Sequence, residues 1–226
     1  MDRLSQREAR FAGIYRAILA AYWLTCAGLM AFWLARGDWY QFFQSAANAC
    51  MPGLFLLVWR ALRLGRTYQL EAVILAFTFL AYTLGVGACW YHLIPHYDKL
   101  MHCLSGAFTM YLALPCFYWL KAEKSFKPTD CALAAAFCLC AALAVAGLWE
   151  IAEFFINQVT GIDLQNVAAT GVGDTMTDMI VCLLGALVML FPMLAYYRRG
   201  RAGFLMEAVF SFIRNNPGLY AAGPRP

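Results

Sequence analysis

Charge is scarce in this sequence. Only 13% of its 226 residues are Asp, Glu, Lys or Arg, against about 25% in an ordinary soluble domain. That deficit excludes a chain whose whole surface faces water. Histidine is scarcer still: all 3 histidines fall between His92 and His102. Short motifs that announce common chemistries are missing, with no HExxH pair, no P-loop and no GxSxG elbow. None of the 9 cysteines forms a CxxC pair, so the redox or zinc reading of cysteine spacing has no support. Cys26, Cys89, Cys103, Cys116, Cys138, Cys140 and Cys182 lie in or beside apolar runs and read as small buried packing residues.

What is abundant is apolar surface. Hydrophobic residues make up 63% of the chain, and the mean hydropathy is +0.61. A membrane-spanning helix takes about 20 residues, so six spans with short loops nearly exhaust the length. The apolar runs predict spans over about 14–35, 46–62, 71–93, 100–120, 131–155 and 175–197. The first run is too long for a signal-peptide core and no small-residue cleavage site closes it, so it reads as an uncleaved span. Pro52 is expected near the outer end of the second. The predicted fold is all-α: a polytopic membrane protein, a six-transmembrane-helix bundle over residues 1–200. Residues 201–226 are predicted to add a cytoplasmic interfacial helix, GFLMEAVFSFIRN, and a disordered Pro/Gly-rich tail.

Basic residues stay on the cytoplasmic side of a membrane protein. With these spans, all of the 17 Lys and Arg residues except Arg36 and Lys99 fall on one side, together with both termini. The N- and C-termini are therefore expected in the cytoplasm. The net charge of +4 reflects this topology and implies no nucleic-acid partner; membrane lipids are the expected neighbours. Asp38, Asp98, Glu150, Glu153, Asp163, Asp174 and Asp178 fall on or near the opposite, outer side.

Three outer segments concentrate the polar chemistry. WYHLIPHYDKLMH turns at Pro95 and opens the fourth span. Asp98 is placed there to cap the helix, with His102 on the same face one turn on. Lys99 points about 100° away and reads as an interface residue. WEIAEFF ends the fifth span, with Glu150 and Glu153 three residues apart. GVGDTMTDM opens the sixth, with Asp174 as a cap and Asp178 one turn deeper. An aspartate inside a membrane helix is costly enough to demand a cation, a proton, a metal or water. Convergence of the three segments predicts one composite site. Asp98, His102, Glu150, Asp174 and Asp178 are its candidate metal ligands, with Glu153 and Lys99 as candidate catalytic groups. Such hard ligands suit Zn, Mg or Mn, and several carboxylates together require a divalent metal or at least one shared proton. Phosphatase chemistry would call for arginine, and the sole outer arginine is Arg36, far away in sequence.

The stretch YDKLMHCLSGAF resembles the DKxxH-containing helix start of VanZ-like membrane proteins. Together with WEIAEFF and GDTMTDMIVCLLGA it is more closely similar to the YjdF-type inner-membrane proteins of bacteria, the DUF2238 group. The likeness covers roughly residues 90–186. WEIAEFF departs from the acidic–Gln pairing common in VanZ-like proteins. The resemblance implies a multi-pass protein of the bacterial inner membrane and marks Asp98, Lys99, His102, Glu150, Glu153, Asp174 and Asp178 as motif positions. It implies no particular reaction. Three functions then compete: a metal-assisted enzyme or binder of an envelope lipid or small molecule, a proton- or cation-coupled transporter, and a non-catalytic membrane scaffold.

Overall fold

The computed structural model describes residues 3–124 and 127–220. It is 86% helical without strands among the described residues, and six helices are long and apolar enough to cross a membrane. The chain is an all-α polytopic membrane protein. Its long helices are α1 (Arg3–Arg36), α2 (Trp39–Ala61), α3 (Tyr68–Thr78, continued as a π-helix over Phe79–Gly87), α4 (Tyr97–Leu120), α5 (Cys131–Thr160) and α6 (Gly173–Arg199), followed by the shorter α7 (Phe204–Asn215). They form two compact units. Among the described residues, the first holds the chain up to Tyr97 with Phe210–Leu219, and the second holds Asp98–Val209 with Tyr220.

In the first unit, Tyr15, Tyr22 and Cys26 of α1 pack with Ala72 and Leu75 of α3. Helix α2 starts at Trp39 rather than near residue 46. The carboxylate of Asp38 accepts from the Gln41 amide at 3.0 Å, and aromatic Trp39, Tyr40, Phe42 and Phe43 extend the helix as an interface belt. Pro52 therefore sits inside the helix, not near its end. The third apolar run also differs from expectation. It widens into a π-helix and ends at Gly87, because Cys89 takes a left-handed backbone at φ +58° before the single turn Trp90–Leu93. The widened turns expose carbonyls to side-chain donors. Asn48 Nδ2 donates to Tyr82 O at 3.0 Å, Tyr97 Oη to Leu80 O at 2.9 Å and Trp33 Nε1 to Gly87 O at 2.8 Å. In a lipid setting, where unpaired carbonyls are costly, these bonds make the irregular span tolerable.

The second unit is organised by small residues. Ala134, Cys138, Ala142, Ala146 and Glu150 are the buried positions of α5, one turn apart in succession. Cys182 Sγ of α6 reaches Ala142 O at 3.7 Å. Helices α4 and α6 approach still more closely. A Cβ on Gly106 would overlap the carbonyl of Cys182, and one on Gly185 would overlap the carbonyl of Cys103. Without a hydrophobic drive between helices in lipid, such small-residue contact is what holds spans together. The outward apolar surface, including Leu148, Val159, Val188 and Phe191, is exposed as a lipid-facing surface should be.

The C-terminal helix α7 is largely buried. Leu205, Met206, Ala208 and Val209 of α7 are buried by protein, and Phe204 meets the Tyr111 ring at 5.6 Å. Its apolar face is covered by the chain itself. Pro217–Tyr220 forms a helical turn, with Tyr220 Oη donating to Pro115 O at 3.0 Å. The remainder of the predicted disordered tail, 221–226, lies outside the described residues. The cysteines correct another expectation. All 9 thiols are free, but only Cys26, Cys138 and Cys182 are buried, while Cys50, Cys116 and Cys140 are exposed.

The glycine crossing gives a direct test. Gly106→Ala or Gly185→Ala should destabilise the protein by about 1–3 kcal/mol through overpacking. Gly147→Ala on α5, whose Cβ would meet nothing within 4 Å, should be neutral or stabilising by up to about 1 kcal/mol. Thermal unfolding in detergent reads the difference; equal melting temperatures for all three variants would refute the crossing.

Candidate functional site

Two facing helix starts build the centre of the site. Helix α4 begins at Tyr97, so Asp98 lies in its first turn and is not its cap. Helix α6 begins at Gly173, so Asp174 is likewise inside the first turn, and Val172 occupies the cap position. Their carboxylates stay near the positive helix ends, where negative charge is favoured, but their partners are tertiary. Gly106 and Gly185 lie two turns further along α4 and α6 than Lys99 and Asp178, respectively. Their close crossing therefore brings the two polar positions to the same level.

Lys99 is the hub. Its Nζ lies 2.5 Å from Asp174 Oδ1, 2.8 Å from both Asp178 oxygens and 3.4 Å from Asp98 Oδ2. The sequence expectation that Lys99 points away from this face is wrong. Its four-carbon stem bends the ammonium back over the carboxylates, because a lone aspartate buried as deeply as Asp178 needs a cation beside it. The Asp178 side chain is 3% exposed, against 24% for Lys99 and 37% for Asp98. The cluster is thus most exposed at Asp98 and most buried at Asp178.

His102 completes the cluster. It is buried, with Nε2 at 3.5 Å from Asp98 Oδ1 and 3.9 Å from Asp178 Oδ1. Lys99 has hydrogen-bond geometry only toward Asp178 Oδ2, which leaves Oδ1 buried without a hydrogen bond. One ligand atom each from Asp98, His102 and Asp178 falls within 4.8 Å of the others. Two bonds of about 2.0–2.2 Å at a tetrahedral angle put their ligand atoms roughly 3.3–3.6 Å apart, so the His102–Asp98 pair already has that spacing and the widest pair must close by about 1 Å to share an ion. The other histidines, His92 and His96, are exposed.

The remaining predicted residues form a flanking layer. Glu150 is buried; its Oε2 accepts from Gln165 Nε2 at 3.1 Å, while Oε1 has no hydrogen-bond partner. Its charge is close enough to act electrostatically on His102. Glu153 is half-buried and accepts from Trp149 Nε1 at 2.8 Å. It lies within electrostatic range of Glu150, Asp98 and Asp178 but makes no direct contact with Lys99 or His102 among the hydrogen bonds and ion pairs of the described residues. Asp163 turns away to a local task, accepting from the Val167 and Ala168 amides at 2.9 Å each.

Two residues of this layer carry no clear signal in the sequence. Gln165 is buried and its amide nitrogen contacts Glu150 O at 3.0 Å and Thr175 Oγ1 at 3.1 Å. Asn166, held at φ +50°, donates from Nδ2 to Asp174 Oδ2 at 2.7 Å. An adjacent Gln-Asn pair in the loop between two membrane helices looks like ordinary turn chemistry. Its one sequence signal is position: it lies between two segments already rich in acids.

With five carboxylates around a single ammonium and an imidazole, the site has more negative than positive groups. A family model for predicted membrane proteins, DUF2238, matches residues 17–199. No curated protein and no solved structure matches the chain. The match takes in α1 from residue 17, the other five long apolar helices and every residue of the cluster, and the chain belongs to the DUF2238 family of predicted membrane proteins.

Proposed function

We propose that this is a bacterial inner-membrane protein with both termini in the cytoplasm, whose outward-facing acidic site binds a divalent metal and acts on or binds an envelope lipid or small molecule. The observation that carries the reading is the Asp98–His102–Asp178 triad, with ligand atoms within 4.8 Å and one Asp178 oxygen free of hydrogen bonds. Two carboxylates and an imidazole are a fitting donor set for Zn, Mn or Mg. When bound, such an ion supplies Lewis-acid polarisation of a substrate oxygen and a more acidic water. The chain's own residues do the rest. Lys99 spans Asp174 and Asp178 and fixes the deep carboxylate. Gln165 orients Glu150, and Asn166 orients Asp174. Glu153, held by Trp149, is the candidate general base at the rim. The orientation rests on the bias of Lys and Arg.

A second reading has one observation in its favour. Lys99 already lies 2.8 Å from both Asp178 oxygens, so the cluster could be an internal ion-pair lock in a scaffold. The two readings separate experimentally. Purified protein should carry about one divalent ion per chain by elemental analysis, lost in Asp178→Asn and His102→Ala while both remain monodisperse. Absence of metal from the wild type after exposure to Zn, Mn and Mg would overturn the metal reading. Lys99→Met should cost about 3 kcal/mol without added metal, from stranded carboxylates. Saturating metal at about 100 times its Kd should restore roughly 2.7 kcal/mol of that loss. Under the scaffold reading, metal restores nothing. For orientation, a C-terminal green fluorescent protein should fluoresce in cells; an active alkaline phosphatase at that position would reverse the topology.

A further inference from the structure

The first unit carries a second polar feature that the acidic site does not use. At its arginine-rich end a groove of about 400 Å³ lies between α1, α2 and the start of α3. Arg16 and Arg66 stand on its rim, with Tyr15 and Tyr68 beside them and Leu19 and Leu56 in its wall. Arg66 is tightly organised. Its Nε lies 2.8 Å from both Glu71 oxygens, and Nη2 lies 2.6 Å from Oε2. The Thr67 amide donates to the same Glu71 carboxylate at 2.8 Å. The guanidinium also lies over the Tyr68 ring at 5.0 Å and the Tyr15 ring at 5.4 Å. Glu71 is fully buried, whereas the Arg66 side chain is 41% exposed. The pair thus holds a partly exposed guanidinium at the groove, and guanidinium N–H groups suit phosphate oxygens. Arg16 is exposed and donates from Nε to Ala12 O at 3.1 Å.

Depth identifies the occupant. Arg16 and Arg36 are the two arginines that bracket the apolar stretch of α1, and twenty residues of helix rise about 30 Å, the hydrocarbon thickness of a bilayer. Arg16 is therefore at the headgroup level. Arg66, just before the start of α3 at Tyr68, is at a span end as well. Below the two guanidiniums, Leu19 and Leu56 offer an apolar wall to a chain entering the bilayer. We infer that this groove binds the phosphate headgroup of an anionic phospholipid in the leaflet on the arginine-rich side, with Arg16 and Arg66 as its ligands and the acyl chain along Leu19 and Leu56. The inference does not rest on the metal reading of the acidic site.

The test uses the full-length protein in detergent, titrated with phosphatidylglycerol or phosphatidylcholine while its melting temperature is followed. Native mass spectrometry counts bound lipid in parallel, so that the answer does not depend on stability alone. Phosphatidylglycerol should raise the melting temperature saturably and phosphatidylcholine should not. Arg16→Gln, which removes an exposed side chain, should weaken phosphatidylglycerol binding about fivefold, the value of one basic residue near a lipid surface. Arg66→Lys should weaken it as well, through loss of the guanidinium. Inorganic phosphate should not compete. Equal response to the two lipids, unchanged affinity in Arg16→Gln, or displacement by inorganic phosphate would each overturn the inference.

Discussion

Helices α4 and α6 can bring Lys99 onto Asp178 only because no side chain separates them at Gly106 and Gly185. The carbonyl of each helix occupies the space that a Cβ of the other would take. Two turns away, that closeness becomes a 2.8 Å contact between an ammonium and a buried carboxylate. The same constraint explains the sequence of α5, whose buried positions are alanine or cysteine until the row ends at Glu150. Small residues bring the backbones together through the apolar interior, and polar groups take over at one end. In lipid this division is physically natural. Close packing supplies attraction where hydrophobic burial cannot, and ionisable groups gather where they can meet one another and water.

The acidic end is organised as concentric layers. Lys99 neutralises part of the charge of Asp98, Asp174 and Asp178, and its position against both Asp178 oxygens makes it a rival for any metal there. His102 faces the two carboxylates left with spare oxygen lone pairs. Gln165 and Asn166 then tie the connecting loop to Glu150 and Asp174. The amides hold the acids in place without adding charge. The first unit follows the opposite logic at its basic end, where buried Glu71 serves to hold an exposed arginine.

Much of this was legible in the sequence because the bilayer imposes a length on apolar runs. All six spans appeared, and the acids expected to converge do lie in one unit. What was hidden depends on contacts between distant residues. The π-helix over Phe79–Gly87 relies on donors from Trp33, Asn48 and Tyr97. An apolar run containing Gly85 and Gly87 does not announce that register. Lys99 was misassigned because a helical wheel places its Cβ, whereas its flexible stem decides where the charge goes. Asp98 and Asp174 looked like caps because position alone cannot tell a first-turn acid from a capping one. Helix α7 has the amphipathic pattern that suits either an interface or a protein groove, and its apolar residues are buried by protein.

The central claim is that Asp98, His102 and Asp178 hold one cation together, and electron spin echo spectroscopy of the Mn²⁺-loaded protein examines it atom by atom. Nitrogen modulation from one imidazole should appear in the wild type, disappear in His102→Ala and persist in both His92→Ala and His96→Ala. A manganese signal coupled only to water, or nitrogen coupling that survives His102→Ala, would contradict the account.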